Sequence, residues 1–443
     1  MDATLQEILE NREWRAKRQK ELIVQYQKPL LCFTMNIAGP DKWNRDVSIG
    51  FAVGNLLLRQ MLKSVVHYEC HYDCAGCSAF YVADMPAAQL KSIAIEVEHT
   101  EHIGRLFDMD VLDAEGKKIS REELGYPPRK CLICQEDARL CARRRNHGLD
   151  AIRQKTQQLL NEAAQWLAEY IAVSAYFALN QEVNTTPKPG LVDRNNNGAH
   201  RDMGLRHFFA SSNALRPYFY QFAEAGMHTR DSKPDNTFVR IRQIGIEAEQ
   251  AMYSATGGVN THKGAIFSMG LLCAAAGRLP PHMWKAELLL GECAAMANDL
   301  VKKDFAGTTI EGAKTVGEEL YTKYGITGVR GQAEAGFPAV KTIGLPIYKE
   351  AIRQGLSENH AGCITLLHLI ASTDDTNLIH RSTRQKQLEI QRQIRGMLEK
   401  DTFPKLETIA ELDKTFIANN LSPGGSADLL AMTYFLYNIE RTL

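Results

Sequence analysis

Hydrophobic positions in the first 160 residues keep changing period. LLCFTMNIAG (30–39) is a short apolar run that stops at a Gly-Pro turn, and VSIGFAVGNLLLRQMLKSVV (47–66) repeats its apolar residues at helical spacing. SAFYVAD (78–84), KSIAIEVEH (91–99) and RLFDMDVLD (105–113) alternate or are β-branched, which predicts strands; AEGKK after the last supplies a turn. Beyond Gly148 the pattern becomes helical. Residues 150–180 are rich in Ala, Leu and Gln, and amphipathic or apolar stretches follow at 241–256, 262–278, 282–303, 345–355, 360–372, 384–400, 404–419 and 426–440. Gly/Pro/Asn-rich loops separate them, and alternating segments all but vanish. The chain is therefore expected to be multidomain: an α+β domain over 1–160, then a mostly or wholly α-helical domain over 161–443. The boundary is expected inside a helix near 155–165.

Composition narrows the function classes. Apolar residues make up 44% and charged residues 23% of 443, an ordinary globular balance. Basic and acidic residues both number 52, so no net charge favours coating a polyanion, and a nucleic-acid partner is not expected. The longest apolar stretch, Gly264–Gly277, is too short and too rich in Gly and Ala to span a bilayer. The N-terminus shows no apolar core of a signal peptide. Ten cysteines in a chain this long do not make a secreted framework, and seven of them precede position 150. A reducing cytoplasm is the expected location, with no membrane partner.

Asp108 and Asp110 stand one residue apart on a predicted strand, so their side chains share a face. Such a pair can hold Mg²⁺ beside phosphate oxygens, or can simply be solvent-facing acids. Glu96 and Glu98, on the neighbouring predicted strand, would share a face with each other. Cys131, Cys134, Cys141 and His147 are spaced C-x2-C-x6-C-x5-H, a pattern open to Zn²⁺ or to free thiols beside a solvated face of arginines. Cys70, Cys74 and Cys77 form a second cluster with no assigned role.

FTMNIAGPDK, IEVEHTEHIGRLFDMDVL and PPRKCLICQEDARLCARRRNH together resemble the holo-citrate lyase synthase family, over about residues 20–150. That resemblance implies a distant nucleotidyltransferase. It would transfer a phosphoribosyl-dephospho-CoA group to a serine of the apo acyl carrier (γ) subunit of citrate lyase and release pyrophosphate. It also implies Mg²⁺ on Asp108 and Asp110, Glu98 as base for the serine hydroxyl, and Lys42, Arg105 and Arg129 as neutralisers of phosphate charge.

In the second half, EVNTTPKPGLVDRNNNGAHRDM (182–203) cannot be an unbroken helix: it holds two prolines, two glycines and three consecutive asparagines. It carries Lys188, Asp193, Arg194, His200 and Asp202, and reads as a rigid surface loop or as part of a site. ATGGVNTHKGAIFSMGLL (255–272) puts Asn260, His262 and Lys263 at the start of an apolar helix, and Ser422-Pro423-Gly424-Gly425-Ser426 precedes another, with Asp428 just inside. Both starts suit an anion held by free N–H groups, and both suit ordinary capping. STDDTN (372–377) offers Asp374, Asp375 and Asn377 for a cation, a sugar hydroxyl or a turn. TGVRGQAEAGFP (327–338) adds Arg330 and Glu334.

These segments, in this order, closely resemble triphosphoribosyl-dephospho-CoA synthase over about 165–440, with Gln332 where a glutamate is expected. The resemblance implies ATP and 3′-dephospho-CoA as substrates and adenine as the group expelled. A carboxylate would then stabilise an oxocarbenium-like transition state and deprotonate the attacking hydroxyl. Asp375 and Asp193 are the candidates. Lys188, His262, Lys263 and the Ser422–Ser426 turn, including Gly424 and Gly425, would hold the triphosphate. His200 or Asp202 would protonate adenine. Rival readings are an ADP-ribosyl-type N-glycosidic hydrolase and a zinc-dependent nucleic-acid adaptor.

Overall fold

The computed structural model describes residues 3–441 apart from 101, 135, 308, 310 and 311. Two compact units meet in sequence between Leu167 and Ala168, inside one long helix.

The first unit is built on a five-stranded antiparallel sheet in the order β2-β3-β1-β4-β5. Its strands are β1 (Leu30–Met35), β2 (Val65–His71), β3 (Ser78–Ala83), β4 (Phe107–Leu112) and β5 (Lys118–Ile119). Alternation along the strands sends side chains to two helical layers. On one face Leu30, Cys32, Phe80 and Val82 pack on Leu22, Ile23 and Trp14 of α1 (Leu5–Tyr26). Thr4 starts that helix through a reciprocal capping box with Glu7. On the other face Phe33 stacks on Phe51 of α2 (Arg45–Met61) and meets Phe107 edge-on, with centroids 5.0 and 5.1 Å apart. Gly54 of α2 leaves room for the Phe33 ring, which a Cβ there would overlap. Tyr81 reaches up to Asn55 with a 2.7 Å hydrogen bond from its hydroxyl.

One expectation fails here. Residues 91–99 are not a strand but most of α3 (Ala87–His99). Leu90, Ala94 and Val97 repeat at helical spacing and are buried, and that face outweighs the alternation of Ile93, Ile95 and Val97. Consequently Glu96 and Glu98 do not share a face: Glu96 is exposed and Glu98 is buried. The short α4 (Ala138–Arg144), capped by Asp137, closes the first unit's set of helices before the long one.

That long helix is α5 (Leu149–Asn184). It is followed by α6 (Leu205–Thr229), α7 (Pro234–Thr256), α8 (Lys263–Arg278), α9 (Ala286–Met296), α10 (Leu300–Phe305) and α11 (Val316–Tyr324). Then come α12 (Gly328–Glu334), α13 (Leu345–Arg353), α14 (Glu358–Ser372), α15 (Thr376–Arg381), α16 (Arg384–Lys400), α17 (Leu406–Ala418) and α18 (Gly424–Arg441). Every helical stretch expected from periodicity is present; 282–303 is broken into α9 and α10 at Asp299, which adopts φ 58°. The helices α6, α11, α12 and α15 lay outside those stretches.

Helices α8, α14 and α18 are apolar nearly all round and run through the core. Small residues set the closest approach: Gly226 of α6 faces the Ala274 carbonyl of α8, and Gly277 of α8 faces that of Ala223. No described helix is long and apolar enough to cross a membrane.

Candidate active sites

Strand β4 reads Phe107, Met109 and Val111 inward and Asp108, Asp110 and Leu112 to the other face. Its register with β1 sets Asp108 opposite Thr34 and Asp110 opposite Cys32, so the two acids share a face as expected. Their environments differ. Asp110 is paired with Lys118 Nζ at 2.6 Å, whereas the nearest cation to Asp108 is Arg129 at 3.9 Å. Two accessible carboxylates on one face suit Mg²⁺, which keeps most of its waters and binds one or two carboxylates plus substrate phosphate; the Cys32 thiol opposite Asp110 is buried against α1.

The other residues expected around this pair do different work. Glu98 Oε1 accepts the Met109 backbone N–H at 3.0 Å, and Oε2 is bound to the Arg121 guanidinium. It pins α3 under β4. Arg105 donates to the carbonyls of Lys130 and Cys131 at 2.6 and 2.8 Å. Arg129 donates to the Phe107 carbonyl at 2.7 Å while its other nitrogen faces Asp108. Lys42 donates to the Ile37 carbonyl, and burial beside Arg12 lowers its pKa. Sequence reasoning missed Arg121 and Lys118; neither lies in a motif.

In the helical unit, a cavity of about 440 Å³ opens between the 185–204 loop and the starts of α8, α12, α15 and α18. Lys188, His200, Asp202, His262 and Lys263 all line it. So do Asn377, Ser422, Gly424 and Gly425. Asp193, Asp375, Ser426 and Arg330 do not.

Asp375 and Asp193 are instead the frame. Asp375 caps α15: Oδ1 accepts the N–H groups of Asn377 and Leu378, and Oδ2 accepts the N–H and hydroxyl of Ser426 at 2.7 and 3.0 Å. The start of α18, expected to hold phosphate, thus spends the Ser426 N–H on an internal carboxylate. Asp193 accepts from the backbone of Lys188, Asn195 and Asn196 and from Thr186 Oγ1, tying the loop into one shape. Asp413, unforeseen, fastens the same loop by accepting from Gly190 N–H and Asn196 Nδ2. Arg330 pairs with Asp304 at 2.7 Å and helps line a second, more apolar cavity of about 350 Å³. The two cavities share Lys263, Gly264 and Val329.

The cavity floor carries buried charge. Lys188 is 1% exposed and paired with Glu182, which is 4% exposed; burial raises the Glu182 pKa, and the Lys188 ammonium opposes that. Asp428 faces Gly264 in the first turn of α8, and a Cβ at Gly264 would overlap its Oδ2. No hydrogen bond or ion pair engages Asp428 among the described residues. Burial, with Glu182 and Asp375 nearby, pushes its pKa well up. His262 Nδ1 meets Ser211 Oγ at 2.7 Å, its Nε2 has no partner, and burial beside Lys188 lowers its pKa to about 3. Arg381 donates to His200 Nδ1 at 3.2 Å, which leaves the ring proton on Nε2 to donate to Ser422 Oγ at 2.8 Å. Burial and Arg381 hold the His200 pKa down at about 4. Lys263 faces Glu249 at 3.0 Å, and Gln332 also lines the cavity.

Two unlike folds in one chain, one displaying acids on an open sheet and the other enclosing a charged cavity, suit an enzyme that performs two separate transfers on phosphate-bearing substrates. Comparison with known proteins gives that class its family. Residues 3–163 match the family described as apo-citrate lyase phosphoribosyl-dephospho-CoA transferase, and residues 168–443 match ATP:dephospho-CoA triphosphoribosyl transferase. "Protein CitXG" of Haemophilus influenzae is 38% identical, covering 99% of this chain and 96% of that protein. Its namesake from Leuconostoc mesenteroides is 34% identical over 99% and 98%. A 2-(5''-triphosphoribosyl)-3'-dephosphocoenzyme-A synthase of Pectobacterium atrosepticum is 44% identical, covering 59% of this chain and 86% of its own. The chain belongs to both transferase families, fused in one polypeptide, and so to the enzymes of citrate lyase prosthetic-group synthesis.

Proposed function

We propose that the helical domain joins ATP to 3′-dephospho-CoA, giving 2′-(5″-triphosphoribosyl)-3′-dephospho-CoA and adenine. The α+β domain then transfers the phosphoribosyl-dephospho-CoA group to a serine of the apo acyl carrier (γ) subunit of citrate lyase, with loss of pyrophosphate. The observation that carries the first reaction is the cavity with Asp428 against its wall, a raised-pKa carboxyl that no hydrogen bond or ion pair engages among the described residues.

The 2′-hydroxyl attacks C1 of the ATP ribose as the bond to adenine breaks. One proton leaves the hydroxyl and one must reach adenine. Burial and its acidic neighbours favour the proton-bearing form of Asp428, so it serves as the relay: it gives a proton to adenine and, as the carboxylate so formed, takes one from the hydroxyl, its developing charge stabilising the oxocarbenium-like ribose. Asp375 and Asp193, the residues first expected in this role, keep the cavity's shape. His200 is neutral at physiological pH and acts as a fixed hydrogen-bonding group rather than an acid. Neutral His262, with Nδ1 accepting from Ser211, presents Nε2–H to substrate. Besides the proton-bearing Asp428, three carboxylates (Glu182, Asp202, Asp374) and three cations (Lys188, Lys263, Arg381) line the cavity, leaving no net positive charge for the triphosphate, so it enters with its own divalent cation. The adjoining cavity, lined by Phe222, Phe238 and Phe267, suits the pantetheine arm.

In the second reaction the carrier serine attacks the α-phosphorus. Mg²⁺ on Asp108 and Asp110 would neutralise charge on the α-phosphate and the departing pyrophosphate. Glu98 cannot take the serine proton without giving up Arg121. The serine proton passes to solvent water at this open face, and Arg129, 3.9 Å from Asp108, offsets phosphate charge.

The test supplies ATP, Mg²⁺, dephospho-CoA and apo-carrier to the full chain. The expected products are adenine, pyrophosphate and a carrier heavier by the phosphoribosyl-dephospho-CoA group. Adenine or another base released while dephospho-CoA keeps its mass would instead mark a hydrolase and overturn the first assignment.

A further inference from the structure

Residues 130–147 take no part in either reaction, yet they are built with unusual care for so polar a stretch. Lys130 and Asp137 form an antiparallel bridge, and Cys131 N–H donates to the Glu136 carbonyl at 2.7 Å, so residues 131–134 and 136 form a tight knuckle. Asp137 then caps α4 by accepting from Arg139 and Leu140 N–H. That helix brings Cys141 back over the knuckle. Arg145, at φ 51°, reverses the chain, and Asn146 donates to Glu136 Oε2 at 3.0 Å, which returns His147 to the same point.

Four donor atoms converge there. Those of Cys131, Cys134, Cys141 and His147 all lie within 4.8 Å of one another. Cys141 Sγ is 3.3 Å from Cys131 Sγ and 3.8 Å from Cys134 Sγ. A disulfide would need about 2.05 Å, which none of these pairs approaches. A tetrahedron of sulfurs about 2.3 Å from a zinc ion has edges of about 3.8 Å, which these separations bracket. Two further details fit a metal and not a mere thiol cluster. Ile133 N–H donates to Cys131 Sγ at 3.4 Å, the kind of bond that steadies a thiolate ligand. His147 Nε2 is buried without any hydrogen-bond partner. Among the described residues, Cys70, Cys74 and Cys77 form no such convergence.

We propose that Cys131, Cys134, Cys141 and His147 hold a structural zinc ion that fixes Arg105 and Arg129 beside the Asp108–Asp110 pair. The link is through backbone. Arg105 donates to the carbonyls of Lys130 and Cys131, so the knuckle is its acceptor. Arg129 immediately precedes the bridge residue, and its carbonyl accepts from Ala138 N–H at 2.8 Å. Four protein donors leave no open position, so the ion organises and does not react. Three thiolates and one neutral imidazole give the site a formal charge of about −1, which the surrounding Arg139, Arg143, Arg144 and Arg145 offset. The effect on carrier labelling rests on the reading of Asp108 and Asp110 given above; the presence of the ion does not.

The test uses the full chain, purified under reducing conditions. Metal analysis should find about one zinc per chain, and replacement by Co²⁺ should give the visible and thiolate charge-transfer bands of a tetrahedral site. Cys134→Ser and Cys141→Ser should lose the metal, while Cys74→Ser keeps it. Should the first two misfold, chelation of the unaltered chain followed by Co²⁺ titration reads the same site. Zinc removal should cut carrier labelling, assayed with supplied precursor, at least tenfold and leave adenine release unchanged. A folded, adenine-releasing chain with neither zinc nor a cobalt spectrum would overturn the site, as would retention of full zinc by Cys134→Ser. Unchanged labelling after zinc removal would overturn the positioning role. Zinc bound by a chain that labels no carrier under any condition would instead strike at the functional reading and leave the metal site standing.

Discussion

The two domains use aspartate in opposite ways. On the open sheet of the α+β domain, Asp108 and Asp110 stay accessible because β4 sends every second residue to a face that α1 only partly covers. In the helical domain Asp193 and Asp375 are buried and Asp428 is half-buried, and their hydrogen bonding divides them. Asp193 and Asp375 are saturated with N–H and O–H donors, while Asp428 has none. A carboxylate already holding four hydrogen bonds can take a substrate proton only by giving some of them up, which would leave those donors unpaired in the interior. In the proposed assignment, exposure marks the chemical acid in the first domain and the lack of partners marks it in the second.

The sharpest way to break this distinction is to remove Asp428. Asp428→Asn should lower adenine release on the order of 10³-fold, the loss expected of a positioned proton relay. Thermal stability should hold or rise, because a half-buried acid that no described residue engages is replaced by a neutral amide. Carrier labelling with supplied precursor should not change. If Asp428→Asn retains its rate while Asp375→Asn loses it at unchanged stability, the assignment is inverted.

Asp375→Asn is the counterpart. The amide nitrogen would face the Ser426 N–H, donor against donor, at a site 3% exposed. The expected cost is about 3 kcal/mol of folding stability, read as a lower denaturant midpoint, with adenine release per folded molecule little changed. On the sheet, Asp108→Asn should reduce carrier labelling about 10²-fold with adenine release intact, the size of effect typical of losing one group that handles charge at a phosphoryl centre. Loss of adenine release in Asp108→Asn would dissolve the division of labour between the domains.

Much of this was legible in the sequence, for definite reasons. Strand β4 was readable because Phe107, Met109 and Val111 alternate with polar residues. The loop over 185–204 was readable because two prolines and three asparagines exclude a helix. Helix α3 was misread because Ile93, Ile95 and Val97 also fit period two, and nothing local says that Glu98 is buried against Arg121. The cavity residues were found as motifs, but their surroundings were not: the second oxygen of Asp375 is taken by Ser426, fifty-one residues away, and Asp428 stands against Gly264 across the core. Hydrogen-bond saturation is a long-range property, and no spacing rule encodes it.

The smallest effect tests whether the enclosed cavity is as desolvated as this contrast requires. His200 titrates near 4 in the folded chain because of burial and Arg381, against about 6.5 when unfolded. Between those values the unfolded chain binds a proton that the folded chain refuses. Stability from this group is therefore complete above about pH 6.5 and is lost as pH falls toward 4, with a slope of at most about 1.4 kcal/mol per pH unit. Water entering the cavity screens part of this, so the total is about 2 kcal/mol. Other groups titrate in the same range, and Glu182 and Asp428, with raised pKa values, act in the opposite sense. The difference between the unaltered chain and His200→Gln cancels them. Denaturant midpoints taken from pH 7 to pH 4 should show His200→Gln losing less stability than the unaltered chain by that amount. Parallel curves would mean that His200 is already solvated, and the enclosed character assigned to this cavity, on which the raised pKa of Asp428 depends, would fail with it.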